Sequence, residues 1–133
     1  MAQTSSAPVE AGQQTRSFAN GVTLLTERLP HVRSVSLGVW IKTGSACELP
    51  HLTGISHFLE HLFFKGTSTR TARQLMEAIE SRGGHLNAYT SRDYTCVYAK
   101  TLDTHLATAA EILGDIICDS QFSDFEKERN VVL

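Results

Sequence analysis

Apolar positions recur at two spacings along this chain, and each change of spacing marks an element. Val35, Leu37, Val39 and Ile41 alternate with Ser36, Gly38, Trp40 and Lys42, the period of a strand with one buried face. Upstream, residues 17–19 and 22–26 flank Asn20-Gly21, a pair that favours a tight hairpin turn, and Pro30 closes that hairpin. Over 53–65 the spacing lengthens to three and four. Ile55, Phe58, Leu59 and Leu62 then form one apolar stripe of a helix that Gly66 ends. A second helix is predicted over 71–81, with Ala72, Leu75, Met76 and Ile79 inward. It is opened by the capping box Thr71-x-x-Gln74 and stopped by Gly83-Gly84. Period two returns over 85–90 and 94–101, turned by Ser91-Arg92-Asp93. Asp103 is placed to cap a third helix carrying Leu106, Ala109, Ala110, Leu113, Ile116 and Ile117. A last capping box, Ser123-x-x-Glu126, predicts a helix from near Asp124. This order predicts an α+β domain, with helices packed on one face of an antiparallel or mixed sheet.

The second face of the 53–65 helix changes the picture. His57-Phe58-Leu59-Glu60-His61 has the form H-x-x-E-H of the inverted zinc peptidases. Positions i and i+4 of a helix point the same way, so both imidazoles can reach one metal ion. Glu60 lies on the same side, where it can address water held by that metal. Phe64 falls beside them. An ordinary solvated face would carry Lys, Glu and Gln instead. With six His in 133 residues the pentapeptide arises by chance in roughly one chain in sixty, so the surrounding segments must carry part of the argument.

Composition sets bounds. The chain is long enough for one domain with a real core, 41% apolar and 20% charged. A net charge of -2 gives no electrostatic case for nucleic acid or an anionic membrane, and no apolar run reaches the length of a membrane span. Cys47, Cys96 and Cys118 are odd in number and widely spaced, which suggests free thiols in a cytosol-like compartment rather than a disulfide framework. Cys96 and Cys118 are expected to pack as small hydrophobes. Residues 1–16 are rich in Ser, Thr, Ala and Gln, with no apolar segment for a secretory signal and too little Arg for a transit peptide. We read 1–14 as a disordered tail and 15–133 as the ordered part.

The segments taken in order resemble the pitrilysin/insulinase-type zinc metallopeptidases, in the branch of the mitochondrial processing peptidase and its bacterial relatives. They are Asn20-Gly21, Gly44-Ser45-Ala46-Cys47-Glu48, the stretch from Gly54 to Leu62, Phe64-Lys65-Gly66-Thr67, the stretch from Gly84 to Thr90, and that from Glu126 to Val131. The resemblance implies a Zn2+ cofactor held by His57 and His61, and Glu60 as the general base. It implies Glu128 as a supporting carboxylate, and Asn87 and Ala88 on the strand edge that receives a peptide or unfolded protein substrate. It also implies a third ligand two helical turns after Glu128, at about residue 135. A second homologous half or partner subunit would close over the substrate. On that view 15–133 is the N-terminal part of a peptidase domain, cut inside its last helix and inactive alone. The compartment would be the bacterial cytoplasm, or the mitochondrial matrix.

Other readings stay open from the residues. His31, His51, His85 and His105 are further imidazoles, of which His51 and His85 lie nearest the motif in chain order. A non-catalytic subunit of the same family would bind peptide or hold a complex together. A metal lyase of the S-ribosylhomocysteine lyase type would need a cysteine as third ligand, for which Cys118 and Cys96 are the downstream candidates.

Overall fold

The computed structural model describes residues 12–122 and Phe125, in two compact units that divide between Arg33 and Ser34. In the first unit β1 (Gln13–Ser17) and β2 (Thr23–Glu27) pair antiparallel, with Thr15 opposite Leu25. Asn20-Gly21 forms the turn as expected. Gly21 takes φ +88°, a left-handed conformation that costs glycine little, and Asn20 Oδ1 accepts the Val22 N–H at 3.2 Å. The strand starts at Gln13, two residues ahead of the expected onset of order.

The second unit contains β3 (Ser34–Ile41), α1 (Ile55–Leu62), α2 (Ala72–Glu80), β4 (His85–Thr90), β5 (Thr95–Leu102) and α3 (Leu106–Asp119). Its three strands form an antiparallel sheet in the order β3-β5-β4, with Ala88 and Val39 both opposite Val97. Alternation puts Leu86, Ala88, Val97 and Ala99 on one face. There they meet Leu75 and Ile79 of α2 and Ala109, Ile112, Leu113 and Ile116 of α3, forming one buried core. Leu37, Phe63, Phe64 and Met76 pack around it. The fold is thus the expected α+β arrangement, with the sheet antiparallel throughout.

Several expected details change. Leu106 is 42% exposed and Ala110 is also exposed, while Ile112 takes the buried place. A 3-10 turn, Asp103–His105, precedes α3, and Leu106 is the first residue of α3, where the buried stripe of Ala109, Ile112, Leu113 and Ile116 has not yet begun. Asp103 serves that turn, accepting the Thr104 N–H at 2.9 Å, and gives α3 itself no side-chain cap. On α1, Leu59 is 39% exposed and Ser56 is buried. The helix is seated through Phe58 and Leu62, and the Thr90 hydroxyl donates to the Ser56 carbonyl at 3.4 Å, turning Ser56 toward the end of β4. Cys96 is buried, and burial pushes its thiol pKa up. Cys118 is exposed rather than packed. The helix expected from near Asp124, and Glu128 on it, lie outside the described residues apart from Phe125.

Two loops hold α1 in place. Residues 43–53 contain two 3-10 turns, Ser45–Cys47 and Pro50–Leu52. The first is docked on the β4–β5 turn, with Ser45 N–H donating to Ser91 O at 3.0 Å and Ala46 N–H to Arg92 O at 2.8 Å. After α1, residues 66–71 are stitched to α3. Arg70 pairs with Asp115 and Glu111, Ser68 N–H donates to Asp119 Oδ2 at 3.1 Å, and Gln121 N–H donates to Gly66 O at 3.1 Å. The capping box of α2 is complete in both directions between Thr71 and Gln74. No helix among the described residues is long and apolar enough to cross a membrane.

Candidate metal centre

α1 is only eight residues long, too short to be stable without its neighbours. His57 sits in its first turn and His61 in its last, so the spacing of their rings depends on both ends being held. The two Nε2 atoms lie 3.3 Å apart, with the rings at 90° to each other. As an N–H···N hydrogen bond this is long. As a chelating pair it fits: Zn–N bonds of about 2.0–2.1 Å at a tetrahedral angle separate two nitrogens by about 3.3–3.4 Å. The spacing of the pair thus fits two ligands of one zinc ion.

Glu60 and His61 line a cleft of about 280 Å³ together with Phe64, Lys65 and Asn87. Three of the residues singled out in the sequence are thus brought into one cleft from α1 and β4, and His57 adjoins it through His61. Asn87 is exposed on β4, one of the two edge strands of the three-stranded sheet. Its Oδ1 accepts the N–H of Ala88 at 2.9 Å. The Ala88 side chain is buried in the core, 6% exposed, so only its backbone faces a ligand.

Among the described residues no third His, Cys, Asp or Glu joins the pair. The four other histidines do not supply one. His51 is exposed in the second 3-10 turn, and the His85 ring lies against Tyr98, 6.2 Å between centroids. Neither Cys96, buried in the sheet, nor Cys118 on α3 belongs to a metal-type cluster.

Sequence reasoning missed one residue at this centre. Glu48 reaches α1 from the preceding loop, its Oε2 accepting the Gly54 N–H at 2.7 Å and its Oε1 the Ser56 N–H at 2.9 Å. The Gly54 N–H, then the Ser56 N–H and hydroxyl, hold the Glu48 carboxyl below the usual carboxylate range. Gly54, the N-cap, has φ +92° and no side chain to cap the helix, so Glu48 does so from a distance. Lys65 was read only as part of a motif, although it lines the cleft.

An α+β unit that presents two chelating imidazoles and a carboxylate on one short helix, beside an outermost strand, defines a metallopeptidase-type domain. Comparison with known proteins gives the family. Residues 23–133 match the insulinase family, peptidase family M16, and the chain belongs to it. It is 54% identical over 115 residues to an uncharacterized zinc protease, YmxG, of Bacillus subtilis, covering 85% of this chain and 28% of that protein. It is 47% identical over 119 residues to a probable mitochondrial-processing peptidase subunit beta of Arabidopsis thaliana, covering 88% of this chain and 22% of that one. A protease from Helicobacter pylori superimposes with a TM-score of 0.84 at 29% identity, over 90% of this chain and 29% of the other. The chain thus spans between 22% and 29% of the length of these relatives.

Proposed function

We propose that this chain carries the metal-binding helix and the substrate strand of a zinc-dependent endopeptidase. The observation that carries the reading is the Nε2 pair at 3.3 Å beside a cleft shared by Glu60 and Asn87. His57 and His61 are two of the ligands, and the third is a carboxylate outside the described residues. Zinc, when bound, supplies a Lewis acid that brings the pKa of water to about 7 and polarises a carbonyl. Glu60 takes the proton of the attacking water and returns it to the leaving amine. Asn87 and Ala88 receive the peptide as an added strand on β4. The Ala88 N–H, whose acceptor is now Asn87 Oδ1, then donates to a substrate carbonyl, and the freed Asn87 amide binds the peptide backbone. Glu128, outside the described residues, is the carboxylate that supports the ligand set.

Two ligands hold zinc weakly, and a single sheet neither excludes water nor orients a scissile bond, so the 133-residue chain alone does not turn over peptides. A second homologous half, or a partner subunit, closes over the substrate to supply what this chain lacks. A chimaera tests the reading: this chain replaces the 115 matched residues of the B. subtilis relative. Peptide hydrolysis is expected, with Glu60→Gln keeping the zinc and lowering turnover by about 10²- to 10⁴-fold. A Glu60→Gln chimaera within about threefold of its parent would remove Glu60 from the mechanism.

A further inference from the structure

The role of Glu48 follows from where α1 begins. A helix leaves its first N–H groups without partners, and α1 opens on a glycine that offers them nothing. Those of Gly54 and Ser56 are both taken by one carboxylate, at 2.7 and 2.9 Å. A carboxylate there also meets the positive end of the helix dipole. Its position is fixed in turn. Gly44 packs so closely on the β4–β5 turn that a Cβ would lie 2.4 Å from Ser91 O, and the two hydrogen bonds from Ser45 and Ala46 lock the loop to the same turn. That turn joins β4, the strand carrying Asn87, to β5. A chain of short contacts therefore runs from the substrate strand through its turn to Glu48, and from Glu48 to the first turn of α1. His57 is the residue next to Ser56. The other end of α1, with His61, is held separately, because the 66–71 loop that follows it is bound to α3.

We infer that Glu48 is a positioning residue for metal binding, holding the first turn of α1 so that the His57 nitrogen stays at chelating distance from that of His61. The inference rests on the reading of His57 and His61 as ligands. Without Glu48 the first turn loses two of its anchors and frays, and His57 moves with it while His61 does not. Partners that orient metal ligands from outside the coordination sphere change affinity by about 10–100-fold.

The test compares Glu48→Ala, Glu48→Gln, His57→Ala and Thr71→Ala by zinc titration and by the d–d spectrum of Co2+, with amide exchange measured on the metal-free chain. Thr71→Ala removes a cap of similar strength from α2 and serves as the control for general destabilisation. Glu48→Ala should expose the Gly54 and Ser56 amides, lower zinc affinity by about 10–100-fold and broaden the cobalt spectrum. Thr71→Ala should leave affinity and spectrum unchanged. Glu48→Gln, which keeps the side-chain shape and one strong acceptor, should fall between Glu48→Ala and wild type, and decides the matter if Glu48→Ala does not fold. Zinc affinity within about twofold of wild type in the Glu48 variants, with His57→Ala clearly impaired, would overturn the positioning role alone. Equal affinity in wild type and His57→Ala would instead overturn the ligand reading on which it rests.

Discussion

Replacing Gly44 by alanine should separate the anchoring of the metal helix from the rest of the fold. The added Cβ would sit 2.4 Å from Ser91 O and 2.6 Å from Arg92 O, where ordinary contact begins at 3.4 Å. Both obstacles are backbone, in a tight turn that cannot rotate aside, so the loop must retreat by about 1 Å. The hydrogen bonds from Ser45 and Ala46, now 3.0 and 2.8 Å, then stretch beyond useful range. Two such bonds contribute about 1–3 kcal/mol net, and the remaining overlap adds strain of similar size, so we expect a loss of about 2–6 kcal/mol. Gly114→Ala is the matched comparison. It lies within α3 with nothing within 4 Å of the added Cβ, so alanine should stabilise by about 0.5–1 kcal/mol through helix propensity. Urea denaturation followed by circular dichroism measures both. The steric reasoning is refuted if Gly44→Ala costs less than about 1 kcal/mol, or if the two substitutions shift the midpoint in the same direction.

Further predictions concern the same helix and its neighbours. His57→Ala or His61→Ala should each abolish the weak zinc binding of the 133-residue chain, and calorimetry showing unchanged affinity in either would dismiss that residue as a ligand. Glu48 carries a lowered pKa in the folded chain, so its contribution is complete above the unfolded value of about 4.3 and is lost as pH falls through the folded value. The amide shifts of Gly54 and Ser56 should therefore titrate below about pH 4.3 in wild type and stay flat in Glu48→Gln. A midpoint above that value would contradict the assigned hydrogen bonds. Thr71→Ala should cost about 1 kcal/mol by opening the capping box of α2, measurable as a lower urea midpoint.

Much of the fold was legible because its signals are local. The 85–90 strand was expected with its observed bounds, since alternation, a glycine pair before it and a polar turn after it all agree. The α2 cap could be read from Thr71 and Gln74 alone because both ends of a capping box lie within four residues. The errors came where phase did not decide burial. Leu106 fits the apolar stripe in phase, yet it opens α3 straight after a 3-10 turn and stays exposed, because periodicity says which face a residue is on and not how far the cover over that face extends. Leu59 fits the apolar stripe of α1, yet the helix buries Phe58, Leu62 and Ser56 instead, and the Ser56 carbonyl accepts the Thr90 hydroxyl at the end of β4.

The candidate site divides along the same line. His57, Glu60 and His61 announce themselves because a helix converts spacings of three and four into one face, and the fold then holds the two imidazoles at a chelating distance. Asn87 could be named only by resemblance. What puts it in the cleft is the antiparallel pairing that leaves β4 outermost beside α1, a long-range fact with no spacing to betray it. Glu48 was quoted within a motif yet given no role. Capping rules look for Ser, Thr, Asp or Asn at the N-cap, and the residue found there is Gly54. The N–H groups it holds lie six and eight positions after the acid, across a 3-10 turn, and its reach depends on a glycine, Gly44, packed against a turn nearly fifty residues later in the chain. The two proposed imidazole ligands are therefore written into one pentapeptide, whereas the segments that hold their helix are distributed over the β4–β5 turn, the 43–53 loop and α3. Substitutions at those distant points should weaken metal binding without touching a ligand.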